Sequence, residues 1–167
     1  MATLSSRNTR LENEYNALRK VPINSLYRWA VTQGQTPPAV KSYTVTYTNP
    51  DPVHTSSGVR TRNRITIRFD LPDDYPNSCP IATIVEGDIP YLTNVFSSGS
   101  FCFGNLYDPN AWLWEWFITV GRILAGDPSL QYTNPNSAAN RDAATYFLNN
   151  RSKFPFGRTD FPRPPGF

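Results

Sequence analysis

The sequence predicts an α+β fold in which helices cover one face of an antiparallel sheet. Three features of the 167-residue chain favour this fold: a helical apolar stripe near the N-terminus, several short segments with period-two alternation, and two further helical patterns in the last third. A chain of this length is most simply one domain with a substantial core. We divide it into a domain over residues 1–153 and a tail rich in Pro and aromatic residues over 154–167.

The first helix is predicted to begin at a cap formed by Thr9 and Glu12. These two residues have the spacing of a capping box, in which each side chain accepts a hydrogen bond from a backbone N–H of the first turn. An apolar stripe at helical spacing follows, made of Leu11, Tyr15 and Leu18. The charged residues between them are predicted to face outward; these are Glu12, Glu14, Arg19 and Lys20. Pro22 ends the helix.

Four short segments are predicted to form an antiparallel meander. Each is apolar at every second residue or continuously apolar, as expected of a strand with one buried face; they span 26–31, 43–48, 65–70 and 81–85. Residues 49–58, between the second and third strands, are predicted to form a long polar hairpin loop. The single histidine, His54, falls in that loop, and we assign it no catalytic role.

Two more helices are predicted after the meander. Asp108-Pro109-Asn110 leads into a helix from about Ala111 to Ala125, which Gly126 ends. Its three tryptophans are predicted to pack in the core rather than to bind a ligand. Asn136 or Ser137 is predicted to cap the third helix.

The residues from Phe154 onward cannot continue a helix because they are rich in Pro and Gly. Two interpretations of this tail remain open. It is a disordered or surface-draped segment, or it is an extended peptide that binds the groove of a partner.

Composition excludes several classes of function. The net charge of +3 is carried by the segment from Arg151 onward, so nucleic-acid binding is not predicted. No apolar run is long enough for a membrane span, and the N-terminus has no signal-peptide pattern, so a cytoplasmic protein is expected. Cys79 and Cys102 are then expected to be free thiols. One His and two Cys without ligand spacing predict no metal site, and the isolated glycines predict no phosphate loop or cofactor.

The segment around Cys102 is the best candidate for a reactive site. Cys102 lies in a stretch of Ser, Gly and Asn that is typical of a surface loop, with Gly99 before it and Gly104 after it. Glycine allows a ligand or another backbone segment to approach closely. Asn94 supplies an amide eight residues before the cysteine. A thiol in such a position suits a nucleophile better than core packing.

This segment resembles the catalytic segment of ubiquitin-conjugating enzymes. In that family a His-Pro-Asn motif precedes the cysteine at the same spacing, with a glycine three residues before it; here Leu92 and Thr93 replace the His and Pro. Further along the chain, the family's proline turn resembles the segment 71–80, where Cys79 occupies the first position of a usual Pro-Pro pair and is predicted to have a packing role. The family's Asp-Pro-Asn-Pro loop resembles the segment 127–136. The resemblance covers roughly residues 10–150.

The resemblance implies a UBC-like fold and a conjugating activity. Cys102 would accept a ubiquitin-like modifier from an activating enzyme as a thioester and pass it to an amine of a target protein. Asn94 matches the family asparagine that stabilises the oxyanion or orders the loop. Asn134, before Pro135, occupies the place of an acidic or serine side chain that assists the incoming lysine. Neither Asn134 nor the adjacent Thr133 and Tyr132 is a strong base. Bacteria encode similar divergent enzymes beside activating enzymes and modifiers, in some cases for defence against phage.

Two other functions remain open at this stage. A non-catalytic variant of the fold would bind a ubiquitin-like protein or a ligase as a scaffold; the missing His-Pro favours this hypothesis, and the presence of Cys102 argues against it. A thiol-redox protein would need a resolving cysteine or a cationic neighbour to activate the thiol. The sequence indicates neither of these.

Overall fold

The computed structural model describes residues 4–157 and 160–166, and its centre is a four-stranded antiparallel sheet in the order β1-β2-β5-β6. A separate hairpin of β3 and β4 lies between β2 and β5 in the sequence. The strands are β1 Tyr27–Val31, β2 Ser42–Tyr47, β3 Asp51–Thr55, β4 Gly58–Arg62, β5 Ile65–Asp70 and β6 Ile81–Glu86. The α-helices of the described residues are α1 Leu4–Leu18, α2 Leu113–Leu124 and α3 Arg141–Asn149. The predicted α+β fold with its four-stranded meander is confirmed.

The core lies between the sheet and α2. The period-two residues of β2 and β5 are fully buried, as the alternation predicts; they are Tyr43, Val45, Tyr47, Ile65, Ile67 and Phe69. Phe117 of α2 packs on this face, with its ring centroid 4.7 Å from that of Phe69. The hydroxyl of Tyr47 donates a 2.9 Å hydrogen bond to the carbonyl of Phe117. Trp114 and Trp116 are buried as well, so the predicted packing role of the tryptophans is confirmed for these two.

The first helix differs from the prediction at two points. It begins at Leu4, so Thr9 lies inside α1 and does not cap it. Glu14 is fully buried rather than facing outward. Its carboxylate accepts hydrogen bonds from the hydroxyl of Tyr75 at 2.7 Å and from the backbone N–H of Leu113 at 2.8 Å. Glu14 therefore satisfies a donor in the first turn of α2, a position that favours a negative charge.

The polar environment of Glu14 includes Arg10, which donates to its carboxylate at 2.7 Å. Burial raises the pKa of Glu14 above its usual value, and its hydrogen bonds oppose that shift. The sequence predicted an outward Glu14 from its residue type, yet it lies three residues after Leu11, on the same side of the helix.

The predicted polar loop of residues 49–58 is wrong in part, because β3 begins inside it and pairs with β4 as a two-stranded hairpin. Asp51 of β3 is fully buried and forms a 2.9 Å ion pair with Arg62 of β4. Burial raises the pKa of Asp51 to about 6, and Arg62 partly offsets this. His54 is exposed, with its ring centroid 4.9 Å from that of Tyr91.

The third helix begins later than predicted. Asn140 caps α3, and its side-chain oxygen accepts a 2.9 Å hydrogen bond from the N–H of Ala143. Asn136 and Ser137 instead belong to a turn before the helix. The predicted start of α3 is too early because several Asn and Ser residues in this stretch are equally good caps.

The C-terminal tail packs against the domain along its described residues. Phe154 contacts Phe147 of α3 at a centroid distance of 4.9 Å. Phe161 is buried, with its centroid 5.7 Å from that of Tyr27. Its ring lies directly over Gly121 of α2, where a Cβ atom would collide with it. Residues 158, 159 and 167 of the predicted tail, and residues 1–3 of the predicted domain, lie outside the described residues.

Within the described residues, no helix has both the length and the apolar character needed to cross a bilayer.

Candidate active site

The loop that carries Cys102 is fastened to the edge of the sheet. The N–H of Phe101 donates to the carbonyl of Ala82 in β6 at 3.0 Å, and the N–H of Ile84 donates to the carbonyl of Gly99 at 3.0 Å. Residues 96–100 make a tight turn in which Gly99 has a φ of +84°, a conformation that favours glycine. These bonds fix the backbone just before Cys102.

A second backbone contact fixes Cys102 itself. Its N–H donates a 2.7 Å hydrogen bond to the carbonyl of Asn94. The predicted pair Asn94 and Cys102 is thus brought together through the main chain. The thiol is free, and Cys102 is half-buried.

Cys102 lines an open cleft of about 420 Å³ with mainly apolar walls. The other residues of the cleft are Cys79, Pro80, Ile81, Phe96, Phe101, Phe103, Gly104 and Tyr107. None of these carries a formal charge at neutral pH. Phe96 and Ile81 are strongly exposed for apolar residues. The cleft therefore suits an uncharged, extended segment of a partner next to the sulfur.

The second cysteine lies in the same cleft but in a different environment. Burial, together with the nearby Cys102, raises the pKa of the Cys79 thiol to about 12. Cys79 is thus held as a thiol at neutral pH, and only a thiolate is an effective nucleophile. The packing role that the sequence predicts for Cys79 is consistent with this environment.

The side chain of Asn94 is fully buried and turned into the protein. Its amide nitrogen donates to the carbonyl of Leu130 at 3.1 Å, and its oxygen accepts a hydrogen bond from the hydroxyl of Thr93 at 2.9 Å. Asn94 thereby joins the loop before Cys102 to the segment after α2. This contact spans 36 residues of sequence.

Tyr132 is a site residue that the sequence reasoning did not select. Its hydroxyl is 3.9 Å from Sγ of Cys102. Burial and the neighbouring Cys102 raise the pKa of Tyr132 to about 12. The sequence indicated only that Tyr132 stands near Asn134 and is not a strong base. The feature of the sequence that relates to the contact between Tyr132 and Cys102 is the glycine at 104, because a Cβ atom there would collide with the Tyr132 hydroxyl.

Asn134 is exposed on the turn that follows Tyr132. Its side-chain oxygen accepts a 3.0 Å hydrogen bond from the N–H of Asn136. Its backbone carbonyl accepts a 3.1 Å bond from the N–H of Ser137. The amide group of Asn134 is therefore used, at least in part, to close the turn.

The described residues contain no group of three or more His, Cys, Asp or Glu side chains that could hold a metal ion.

The family model described as ubiquitin-conjugating enzyme matches residues 10–156 of this chain, which include both walls of the cleft. A comparison with curated protein sequences gives no match.

Solved structures of similar fold include human ubiquitin-conjugating enzyme E2 G1 and a candidate ubiquitin conjugating enzyme from Plasmodium yoelii. The human protein is 18% identical with a TM-score of 0.54, and the match covers 76% of this chain and 100% of that chain. The Plasmodium protein is 15% identical with a TM-score of 0.57, and the match covers 92% and 90%. At these identities the structural likeness shows the fold.

Proposed function

The chain belongs to the ubiquitin-conjugating enzyme family, and we propose that it carries a ubiquitin-like modifier as a thioester on Cys102. The modifier's C-terminal acyl group passes from an activating enzyme to Sγ of Cys102 and then to an amine of a target protein. The main support is the setting of Cys102, whose backbone is bound to Asn94 while its thiol faces an open cleft.

The first transfer needs little activation of the sulfur. Exchange of an acyl group between two thiols is nearly balanced in free energy, because one thioester bond replaces another. Apolar cleft walls and a half-buried thiol are compatible with such an exchange. The second transfer forms an amide from a thioester, and it passes through a tetrahedral oxyanion that needs a hydrogen-bond donor.

We assign Asn94 the role of a positioning residue in the second transfer. Its buried amide holds the Leu130 carbonyl, so it orders the loop on one side of the sulfur. This is one of the two roles that the family resemblance left open. For Asn134 we propose a modest role in orienting the incoming amine. Its side chain is exposed beyond the cleft, and an amide is not a strong base that could take the proton of the amine.

We propose partners of three kinds: an activating enzyme, a ubiquitin-like modifier and a target protein with an accessible amine. A bacterial operon that also encodes the first two, in some cases with an antiphage role, is the setting that the divergence of the His-Pro position favours. A strain carrying such an operon with Cys102→Ala would then lose protection against phage that the parent operon gives. Equal protection by both operons would contradict this setting.

The test of the proposed function is a charging assay with the activating enzyme, the modifier and ATP. The modifier and activating enzyme encoded beside this chain are the reagents to use. On a non-reducing gel the parent should shift to a heavier band that reductant removes. Cys102→Ser should give a band that resists reductant, because an alkoxide is a poorer leaving group than a thiolate.

Cys102→Ala is the control, and it should give no band. A Cys102→Ala variant that still charges would contradict the assignment of the nucleophile. A folded parent that binds the modifier without forming a covalent band would favour the scaffold hypothesis, for which the absent His-Pro is the specific observation.

A further inference from the structure

The hydroxyl of Tyr132 is a polar group poised beside the sulfur of Cys102, at a distance of 3.9 Å. We propose that Tyr132 donates the hydrogen bond that stabilises the oxyanion when an amine attacks the acyl group on Cys102. This proposal rests on the proposed thioester function and names the residue that serves its second step.

The position of the hydroxyl fits this role. The carbonyl carbon of a thioester is bonded directly to Sγ, and its oxygen is the next atom out. An effective donor lies about 2.7–3.1 Å from the oxyanion. A hydroxyl 3.9 Å from Sγ is within reach of that oxygen after a rotation about the bonds of the cysteine side chain.

Gly104 leaves room for the hydroxyl. Gly104 has a φ of +46°, and a Cβ atom at this position would collide with the Tyr132 oxygen and lie 3.4 Å from its ring carbon Cζ. Any other residue at 104 would therefore displace the hydroxyl or be displaced by it. The absence of a side chain at Gly104 is therefore what allows the Tyr132 hydroxyl to lie beside Cys102.

Asn94 is poorly placed to supply this hydrogen bond itself. It is fully buried, and its amide nitrogen already donates to the carbonyl of Leu130. Among the residues that line the cleft, Tyr107 also carries a hydroxyl, but that hydroxyl donates to the carbonyl of Pro76. Tyr132 has no such competing acceptor at its hydroxyl among the hydrogen bonds of the described residues.

The protonation state of Tyr132 suits a donor and not a base. Burial raises its pKa to about 12, so the phenol keeps its proton at neutral pH. A neutral phenol can stabilise a developing negative charge without transferring its proton. It cannot take the proton of the incoming amine under the same conditions.

The segment that carries Tyr132 is held by a hydrogen-bond network. The N–H of Tyr132 donates to the hydroxyl of Thr93 at 2.9 Å. The side-chain oxygen of Gln131 lies 2.9 Å from the same hydroxyl and shares its single proton with Asn94, and the Gln131 amide donates to the carbonyl of Ile123 at 3.3 Å. With the bond from Asn94 to Leu130, three consecutive residues are tied to the loop before Cys102. A donor fixed in this way needs little reorganisation during the reaction.

The step conserves atoms and electrons. The amine nitrogen forms a bond to the carbonyl carbon, and the electron pair of the C=O bond moves onto oxygen, where the Tyr132 hydroxyl stabilises it. Collapse of this intermediate restores the C=O bond and breaks the C–S bond. Cys102 leaves as a thiolate, and the proton of the amine passes to the thiolate or to water.

The experiment charges the full-length protein without the modifier. A thioester of N-acetyl-diglycine with a small thiol is exchanged onto Cys102 in excess, and mass spectrometry of peptides locates the acyl group. Free lysine is then added, and the loss of the acyl group is followed over time for the parent and for Tyr132→Phe. The variant keeps the ring and removes only the hydroxyl.

We expect Tyr132→Phe to discharge about 10²-fold more slowly than the parent, the effect of losing one oxyanion donor. The ratio of the two rates should stay constant between pH 7 and pH 9, because burial, the largest cause of the raised pKa of Tyr132, persists when Cys102 is acylated and keeps the phenol protonated. A merely structural role would instead lower the melting temperature of Tyr132→Phe. A ratio that rises with pH would indicate that Tyr132 acts as a base, and it would overturn the proposal.

Two further variants separate position from chemistry. Tyr146→Phe is the matched control, since Tyr146 lies on α3 with its ring against Tyr91 and Phe154, and it should discharge like the parent. Gly104→Ala keeps the Tyr132 hydroxyl but moves it, so discharge should slow in the folded variant. An unchanged rate in folded Gly104→Ala would contradict the placement.

The outcomes distinguish this proposal from the proposed function. A parent that charges on Cys102, with Tyr132→Phe discharging equally fast, overturns the role of Tyr132 and leaves the thioester function intact. A parent that takes no acyl group on Cys102 from either the peptide thioester or the activating enzyme overturns both.

Discussion

The Cys102 loop, residues 92–104, and the described residues of the C-terminal tail, 154–157 and 160–166, are both irregular segments with several aromatic residues. Both bury apolar side chains, but the loop adds a network of buried hydrogen bonds to this apolar burial. In the tail, aromatic rings are inserted into the core, and Phe161 contacts both Tyr27 and Tyr47. The backbone of the described tail residues adds hydrogen bonds, such as the 2.7 Å bond from the N–H of Phe156 to the carbonyl of Ala125.

The Cys102 loop buries apolar side chains as well, namely Leu92, Val95, Phe101 and Phe103, and a network of hydrogen bonds holds it in addition. Its backbone bonds to β6, and the buried side chains of Thr93 and Asn94 tie it to the segment of Leu130 and Tyr132. Phe96, in contrast, is left 42% exposed at the rim of the cleft. Hydrogen bonds fix the direction of each group, whereas apolar burial is not directional.

This difference indicates that the tail contributes mainly to the stability of the domain, whereas the loop also holds the reactive group. Burial of tail aromatics stabilises the domain without specifying a reactive geometry. The loop also buries Leu92, Val95, Phe101 and Phe103, but it leaves Cys102 half-buried and Phe96 exposed at the cleft. Substitutions of the buried tail aromatics should therefore change stability alone, whereas substitutions in the hydrogen-bond network of the loop should change reactivity as well.

The largest expected effect is that of Phe161→Ala in the tail. Removing a buried phenylalanine typically lowers the free energy of unfolding by about 3–5 kcal/mol. Phe161 fits this case because its ring fills the space over Gly121. Urea denaturation should show a lower midpoint with a similar slope. The folded fraction should still accept an acyl group on Cys102.

The matched control is Phe96→Ala in the loop. Because Phe96 is 42% exposed, the same chemical change should alter the free energy of unfolding by about 1 kcal/mol or less. Equal destabilisation by the two variants would remove the distinction between the tail and the loop.

A smaller effect is expected for Asn94→Ala. The carbonyl of Leu130 and the hydroxyl of Thr93 would lose a buried partner, which costs about 1–3 kcal/mol of stability. Charging by the activating enzyme should remain largely intact, and discharge to lysine should slow. The measurement is single-turnover discharge beside a thermal melt.

The combined variant tests how Asn94 acts. If Asn94 works by positioning Tyr132, then Asn94→Ala should slow discharge less in a Tyr132→Phe background than in the parent. Fully additive effects would mean that Asn94 contributes independently, as an oxyanion donor would. Equal slowing of charging and discharge would instead point to a general defect of the loop.

The sheet and α2 could be predicted from the sequence because their signals are local. Alternation in 43–48 and 65–70 requires only that one face be buried, and the structure buries it. The hairpin of β3 and β4 was missed because Pro50 and Pro52 argue against a strand. Its pairing depends on the buried Asp51 and on Arg62, whose partnership no periodicity indicates.

The candidate site shows the same limit. The spacing of Asn94 and Cys102 is local and could be noticed in the sequence, and the two are joined through the main chain. The contact of Cys102 with Tyr132 joins residues 30 apart, and that of Glu14 with Leu113 joins residues 99 apart. Such contacts depend on how α1 and α2 pack, and composition and spacing do not encode that packing directly.

The smallest expected effect concerns Cys79, the neighbour of Cys102 in the cleft. If reactivity belongs to the Cys102 loop, Cys79→Ser should charge like the parent and lose about 1 kcal/mol of stability or less. The converse variant, Cys102→Ser, leaves Cys79 as its only thiol. Burial, the larger cause of the raised pKa of Cys79, remains in this variant, so the folded protein should react slowly with an aromatic disulfide reagent at pH 8.

The pH dependence gives the sharper form of this prediction. Burial keeps the pKa of Cys79 raised in the Cys102→Ser variant, so its thiolate fraction should still rise about tenfold per pH unit from pH 8, because the ionised form is still the minor one. The rate in folded Cys102→Ser should rise accordingly without levelling off. In denaturant the same thiol should react fast and level off above its ordinary pKa of about 8.5. Equally fast reaction in the folded and denatured protein would show that the cleft exposes both sulfurs alike, and the loop would then confer no special reactivity on Cys102.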